Sequence, residues 1–131
     1  MRILIAEDDL TCRLLIQQFL KEVAPPDIAV NGKEAVEAVR LAMDAGTPYN
    51  LICLDIMMPE MDGHEALRQI RGLEEERGIG PRQGAKILMT TALSDIDNVN
   101  TALTSACDGY LTKPLQKTVL LELLRRLKVI S

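Results

Sequence analysis

The sequence predicts an α/β domain built on a parallel sheet with helices on both faces, and three observations carry that reading. Five strand-like runs alternate with five helical patterns along 131 residues. Right-handed crossovers leave few arrangements for such a rhythm other than a doubly wound sheet. The central run Leu51-Ile52-Cys53-Leu54 is continuously apolar, as suits a strand buried on both faces. It ends abruptly on the carboxylate of Asp55, and Pro59 and Gly63 then stop it. Periodicity by itself gives no strand order and does not exclude a Rossmann-type domain of similar size.

The elements follow in order. Arg2 to Ala6 reads as a strand, with Glu7-Asp8-Asp9 directly after it. From Thr11 to Val23, Leu14, Leu15, Phe19, Leu20 and Val23 fall near one helical face, and Pro25-Pro26 ends the pattern. Asp27 to Val30 is a short strand. Asn31 with Glu34 makes a capping box for a helix whose face is Val36, Val39 and Met43 and whose end is marked by Gly46. The central strand follows, and Asp62 with Glu65 repeats the box for a helix carrying Ala66, Leu67 and Ile70. Gly72 to Gly84, with Glu74-Glu75-Glu76 and Pro81, reads as a helix tail and a long surface loop. Lys86 to Thr91 returns to strand. Ser94 caps a fourth helix with Ile96, Val99, Leu103 and Cys107 on one face, ended by Asp108-Gly109. Tyr110 to Lys113 is the last strand, stopped by Pro114. The fifth helix, Gln116 to about Lys128, buries Leu120, Leu123, Leu124 and Leu127.

Length and composition bound the function. The chain is one domain's worth, residues 1–131, and 47% of it is hydrophobic with only Phe19, Tyr49 and Tyr110 aromatic, so the core is aliphatic. A net charge of −4 without a basic cluster argues against direct nucleic-acid binding, which needs a basic face for phosphate. Cys12, Cys53 and Cys107 are odd in number and widely spaced, which fits reduced thiols in a cytoplasmic protein better than disulfides or a zinc site. No apolar run is long enough for a signal peptide or a membrane span.

The strand ends read together as a site. Asp8 and Asp9 follow the first strand, Asp55 ends the third, Thr91 ends the fourth and Lys113 ends the fifth, so a parallel sheet places them along one edge. The first turn has acid where a dinucleotide or P-loop site would have glycine, which disfavours those functions. Carboxylates in one crevice repel each other and invite a hard divalent cation with oxygen ligands. A hydroxyl and an ammonium facing them suit the equatorial oxygens of a phosphoryl group under in-line attack by a carboxylate. Helix capping, strand propensity and a solvated edge explain Asp8 or Asp9, Thr91 and Lys113 one at a time, but not their joint placement.

Leu4-Ile-Ala-Glu-Asp-Asp9, Leu54-Asp-Ile-Met-Met-Pro-Glu-Met-Asp-Gly63, Thr91-Ala92 and Gly109-Tyr-Leu-Thr-Lys-Pro114 carry a resemblance. Over nearly its whole length the chain resembles the receiver domain of two-component response regulators. The resemblance implies a flavodoxin-like fold with strand order 2-1-3-4-5, an order for which the chemotaxis receiver is a standing example. It implies that Asp55 accepts a phosphoryl group from a histidine kinase or phosphotransfer protein. Asp9 and Asp55 would hold Mg2+ with the main-chain carbonyl of Met57, and Asp8 would act partly through water. Thr91 and Lys113 would bind phosphoryl oxygens, and Thr91 and Tyr110 would form the switch. The Lys113–Pro114 bond would be cis. Such a protein is a phosphoacceptor that assists its own phosphorylation and dephosphorylation rather than an enzyme acting on a separate substrate. Its output would be contact with a protein partner or a second copy through the fourth helix, fifth strand and fifth helix, where Val119 and Leu121 widen the apolar arc.

Two other readings have different signatures. A dehalogenase-type aspartyl-phosphate phosphatase also uses Asp, Thr, Lys and magnesium, but its nucleophile follows the first strand, whereas the candidate here follows the third. A phosphate-independent scaffold would not need the full set of site residues. Departures from the commonest receiver pattern are the long Gly72–Gly84 connection and the apolar Met57 and Leu93 beside the expected phosphoryl position, which favour a long-lived aspartyl phosphate. His64 reads as a solvated helix residue.

Overall fold

The computed structural model describes residues 1–80, 83–92 and 106–131. Leu93 and the helix expected from Ser94 lie outside them. The described elements are β1 (Ile3–Ala6), α1 (Leu10–Phe19), β2 (Asp27–Ala29), α2 (Gly32–Asp44), β3 (Leu51–Asp55), α3 (Gly63–Glu76), β4 (Lys86–Ala92), β5 (Gly109–Lys113) and α4 (Lys117–Arg126). The strands form one sheet in the order 2-1-3-4-5, and every pairing is parallel. β1 lies between β2 and β3, with Leu4 facing Asp27 on one side and Ile52 on the other.

Period-two alternation divides the core between the two faces. Ile3, Ile5, Leu51, Cys53, Leu88 and Leu111 pack with Ile16, Leu20, Leu120 and Leu124 of the α1–α4 side. Leu4, Ala6, Ile52, Leu54, Ile87 and Met89 pack with Ala35, Val39, Ala66, Leu67 and Ile70 of α2 and α3. Branched aliphatics on both faces account for the continuous apolar run of β3, whose five residues are all buried.

Helix starts are where the capping chemistry places them. Asn31 accepts from Glu34 N at 2.8 Å while Glu34 Oε1 accepts from Val30 N at 3.1 Å, and Asp62 accepts from Glu65 N at 2.9 Å. α1 differs from expectation in length and in face. It ends at Phe19, and Ile16, Phe19, Leu20 and Val23 turn inward, whereas Leu14 and Leu15 are 54% and 38% exposed. At 3.6 residues per turn Leu14 lies roughly 160° around the helix from Ile16. A stripe begun at Ile16 therefore excludes it.

α3 runs on through Glu76, and Glu74 is buried rather than solvated. Its carboxylate accepts from Arg71 Nη1 at 2.7 Å and from Ala85 N at 2.8 Å. Arg71 also donates to the carbonyls of Ala85 and Ala106 and to Asp108 Oδ2, which accepts from Ile87 N as well. This network fastens α3 to the starts of β4 and β5 at the sheet end opposite Asp55.

Candidate functional site

Strand parity builds the site. Glu7 continues the alternation of Ile3 and Ile5, Asp55 that of Leu51 and Cys53, and Lys113 that of Leu111, so all three side chains emerge on the α1–α4 face at the carboxyl edge. Glu7 is fully buried and Asp55 is 4% exposed. Lys113 Nζ lies 3.2 Å from Glu7 Oε1 and 3.4 Å from Asp55 Oδ1. Asp8, exposed at the rim, completes a group with Glu7 and Asp55 in which one oxygen from each lies within 4.8 Å of the others.

Asp9 belongs elsewhere. It is the N-cap of α1, accepting from Thr11 N at 3.0 Å, and its own N–H donates to Glu7 Oε2 at 3.2 Å. The structure thus brings Asp8 and Asp55 together with Glu7 rather than with Asp9. One residue's difference in register decides this, because Asp9 has already left the strand for the helix cap. Glu7 was passed over in the sequence, although its odd-numbered parity with Ile3 and Ile5 was legible there.

The electrostatics follow from burial. Desolvation, reinforced by a hydrogen bond to Asp55 and by its charge, pushes the Glu7 carboxyl up to about 7, against the opposing pull of the Asp9 N–H and Lys113. Burial disfavours the Lys113 ammonium, but Asp55 and Glu7 outweigh it and hold its pKa above the ordinary lysine value. Below about pH 7 the crowding of the carboxylates is relieved by the Lys113 ammonium and by a proton on Glu7. Such a group, one member at the rim and two buried, fits the needs of a hard divalent cation, which takes carboxylate oxygens and displaces that proton.

The loop after β3 is pinned tightly. Gly63 N donates to Ile56 O at 2.8 Å, and a Cβ on Gly63 would come within 2.3 Å of Asp55 O, so only glycine lets α3 start this close to the strand end. Met57 is 63% exposed at the mouth. Thr91 is buried, its hydroxyl donating to Ala92 O at 3.2 Å, on the opposite sheet face from Asp55 by parity with Ile87 and Met89. Tyr110 packs on that same side against the α2–α3 core. The Lys113–Pro114 bond is cis. His64, expected in solvent, is half-buried, and its Nε2 has no hydrogen-bond partner among the described residues. Cys12, Cys53 and Cys107 are free thiols.

A family model described as the response regulator receiver domain matches residues 3–125. The chain belongs to that receiver family. It is 36% identical over 121 residues to the two-component response regulator ORR41 of Oryza sativa, covering 88% of this chain and 85% of that protein. Other curated relatives are longer: the receiver spans 53% of the regulatory protein VanRB of Enterococcus faecalis and 12% of a probable rice histidine kinase. It is similar, at 31% identity and a TM-score of 0.75, to a chain in a co-crystal of the Saccharomyces cerevisiae histidine phosphotransfer protein Ypd1 with the receiver domain of the response regulator Ssk1 (93% of this chain, 84% of that one). The receiver domain of the Pseudomonas aeruginosa sensor kinase PA1611, solved with magnesium in its active-site cleft, is 26% identical with a TM-score of 0.77, covering 97% of each chain. As a receiver, the protein is a phosphoacceptor signalling domain. No helix among its described residues is long and apolar enough to cross a membrane.

Proposed function

We propose that Asp55 is the phosphoacceptor, taking a phosphoryl group from a histidine kinase or phosphotransfer protein while Glu7, Asp8, Asp55 and the main-chain carbonyl of Met57 hold Mg2+. The observation that carries this reading is the Lys113 ammonium bridging Glu7 and Asp55 at 3.2 and 3.4 Å beside the exposed Asp8. In the transfer an Asp55 oxygen forms a bond to phosphorus as the bond from phosphorus to the donor nitrogen breaks. Bound magnesium supplies charge neutralisation for the phosphoryl oxygens. Lys113 loses its contact with Asp55 as that charge moves outward, and its ammonium follows onto a phosphoryl oxygen. The Thr91 hydroxyl, which donates to the carbonyl of Ala92, swings to another, leaving room that Tyr110 takes up, so that a local charge change becomes a surface change. Met57 offers no polar group to orient an attacking water, which favours a slowly hydrolysed phosphate. These side chains promote both the gain and the loss of the group, with no separate substrate turned over.

The donor docks on α1. Leu10 and Leu14, 56% and 54% exposed, lie on the helix that starts beside Asp8, and Met57 lies across the mouth. A phosphohistidine must come within bonding distance of Asp55, so its carrier covers these apolar groups. The signal leaves by protein contact or self-association through β5 and α4, where Val119 is 49% exposed, together with the expected fourth helix outside the described residues. Residues 1–131 act as one receiver unit, and the free thiols support a cytoplasmic setting.

Incubation with Mg2+ and acetyl phosphate tests the assignment. The expected result is a mass gain of one phosphoryl group on Asp55, absent from Asp55→Asn. Sustained turnover of phosphate esters would indicate a phosphatase instead, and no reaction a scaffold.

A further inference from the structure

Thr90 is 1% exposed, and its hydroxyl has no hydrogen-bond partner among the described residues. It pairs in register with Asp55 across β3 and β4, and parity with Leu88 puts both side chains on the α1–α4 face. Glu7 follows Ala6 as Asp55 follows Leu54, and Ala6 pairs with Leu54. Glu7, Asp55 and Thr90 therefore form one row on three adjacent strands. Lys113 stands on β5 at the level of Ala92, one pleat beyond the pairing of Thr90 with Leu111. To reach Asp55 Oδ1 it spans two strand spacings, roughly 10 Å, and so crosses β4 on the face that Thr90 occupies. An ammonium has three N–H donors, and its ion-pair partners here, Glu7 and Asp55, leave at least one of them to another acceptor.

We propose that Thr90 is a positioning residue for Lys113, its hydroxyl accepting an N–H and steadying the ammonium as it leaves the carboxylates for a phosphoryl oxygen. The inference rests on the phosphoacceptor reading of Asp55. A buried hydroxyl without a partner is a cost to the metal-free fold, and a valine there would remove that cost while keeping the shape. Stability and function are thus opposed at this position, which separates a role in the reaction from a role in packing.

The experiment measures phosphorylation by acetyl phosphate with Mg2+ in the parent, Thr90→Val, Thr90→Ser, Lys113→Ala and the two combinations of the Thr90 variants with Lys113→Ala, alongside thermal melts. Thr90→Val is expected to melt about 3 °C higher yet to be phosphorylated on the order of tenfold more slowly. Thr90→Ser restores the rate, and Thr90→Val adds nothing once Lys113 is alanine. A parental rate in Thr90→Val overturns the proposal, as does an equal slowing in the Lys113→Ala background. A parent protein that takes no phosphoryl group removes the phosphoacceptor reading itself, and this inference with it.

Discussion

Glu7 is where single-residue chemistry has the largest consequence. Its folded pKa of about 7 stands above the unfolded value of 4.5, so between those values the native state holds a proton that the unfolded state has released. The stabilisation is complete below about pH 4.5 and is lost as pH rises through 7. The metal-free protein should therefore lose on the order of 2–3 kcal/mol from this group between pH 5 and 8. Melts in chelator and in millimolar Mg2+ check it: the loss should shrink with the cation, which relieves the same repulsion, and should vanish in Glu7→Gln. That variant should also bind Mg2+ more weakly. Asp9 gives the contrast. Asp9→Ala should cost about 1 kcal/mol as a lost helix cap while leaving the magnesium titration unchanged. A weakened titration would return the residue to the metal site.

At the scale of elements, the turn after Asp55 and the outer face of α1 invite separate changes. Glu60 has a φ of 68°, in the left-handed region where side chains crowd the backbone. Glu60→Gly should raise stability by up to about 1 kcal/mol, a gain moderated by the glycine's freedom when unfolded and by loss of the 3.9 Å Lys33–Glu60 contact. A chemical denaturation midpoint that fell would count against strain at this turn. On α1, Leu14→Asp changes an exposed position and should move stability by less than about 0.5 kcal/mol. Transfer from a phosphorylated histidine donor should slow at least tenfold, whereas phosphorylation by acetyl phosphate should keep its parental rate. Equal rates with the protein donor would remove α1 from the docking surface.

Across the whole molecule, charge is gathered at both ends of the sheet, but the two ends are resolved differently. At the end opposite Asp55, Arg71 meets Glu74 at 2.7 Å and Asp108 at 3.0 Å, with backbone groups taking the remaining hydrogen bonds. Arg71→Met should cost about 3–5 kcal/mol, the usual result of leaving a buried carboxylate unpaired, and equilibrium unfolding would measure it. At the Asp55 end the carboxylates of Glu7, Asp8 and Asp55 outnumber the Lys113 ammonium, and that imbalance is what a cation and a phosphoryl group can exploit.

Much of this was legible in one dimension. The alternation of apolar runs, the caps at Asn31 and Asp62, and the positions of Asp55 and Lys113 at strand ends, with Thr91 one residue short of the end of β4, depend on neighbours along the chain, so the sequence alone determined them. The strand order came through motif resemblance, since local periodicity carries no information about which strands pair. Only the tertiary structure decided which acid joins Asp55. Asp9 and Glu7 are two residues apart, and the choice turns on where β1 stops and α1 begins, a boundary set by packing on both sides. The same cause hid the burial of Glu74, because an acidic run reads as solvated until Arg71 and the Ala85 N–H are folded against it. It also hid the outward turn of Leu14, because the face a helix buries depends on how it meets the sheet and not on its hydrophobic residues alone.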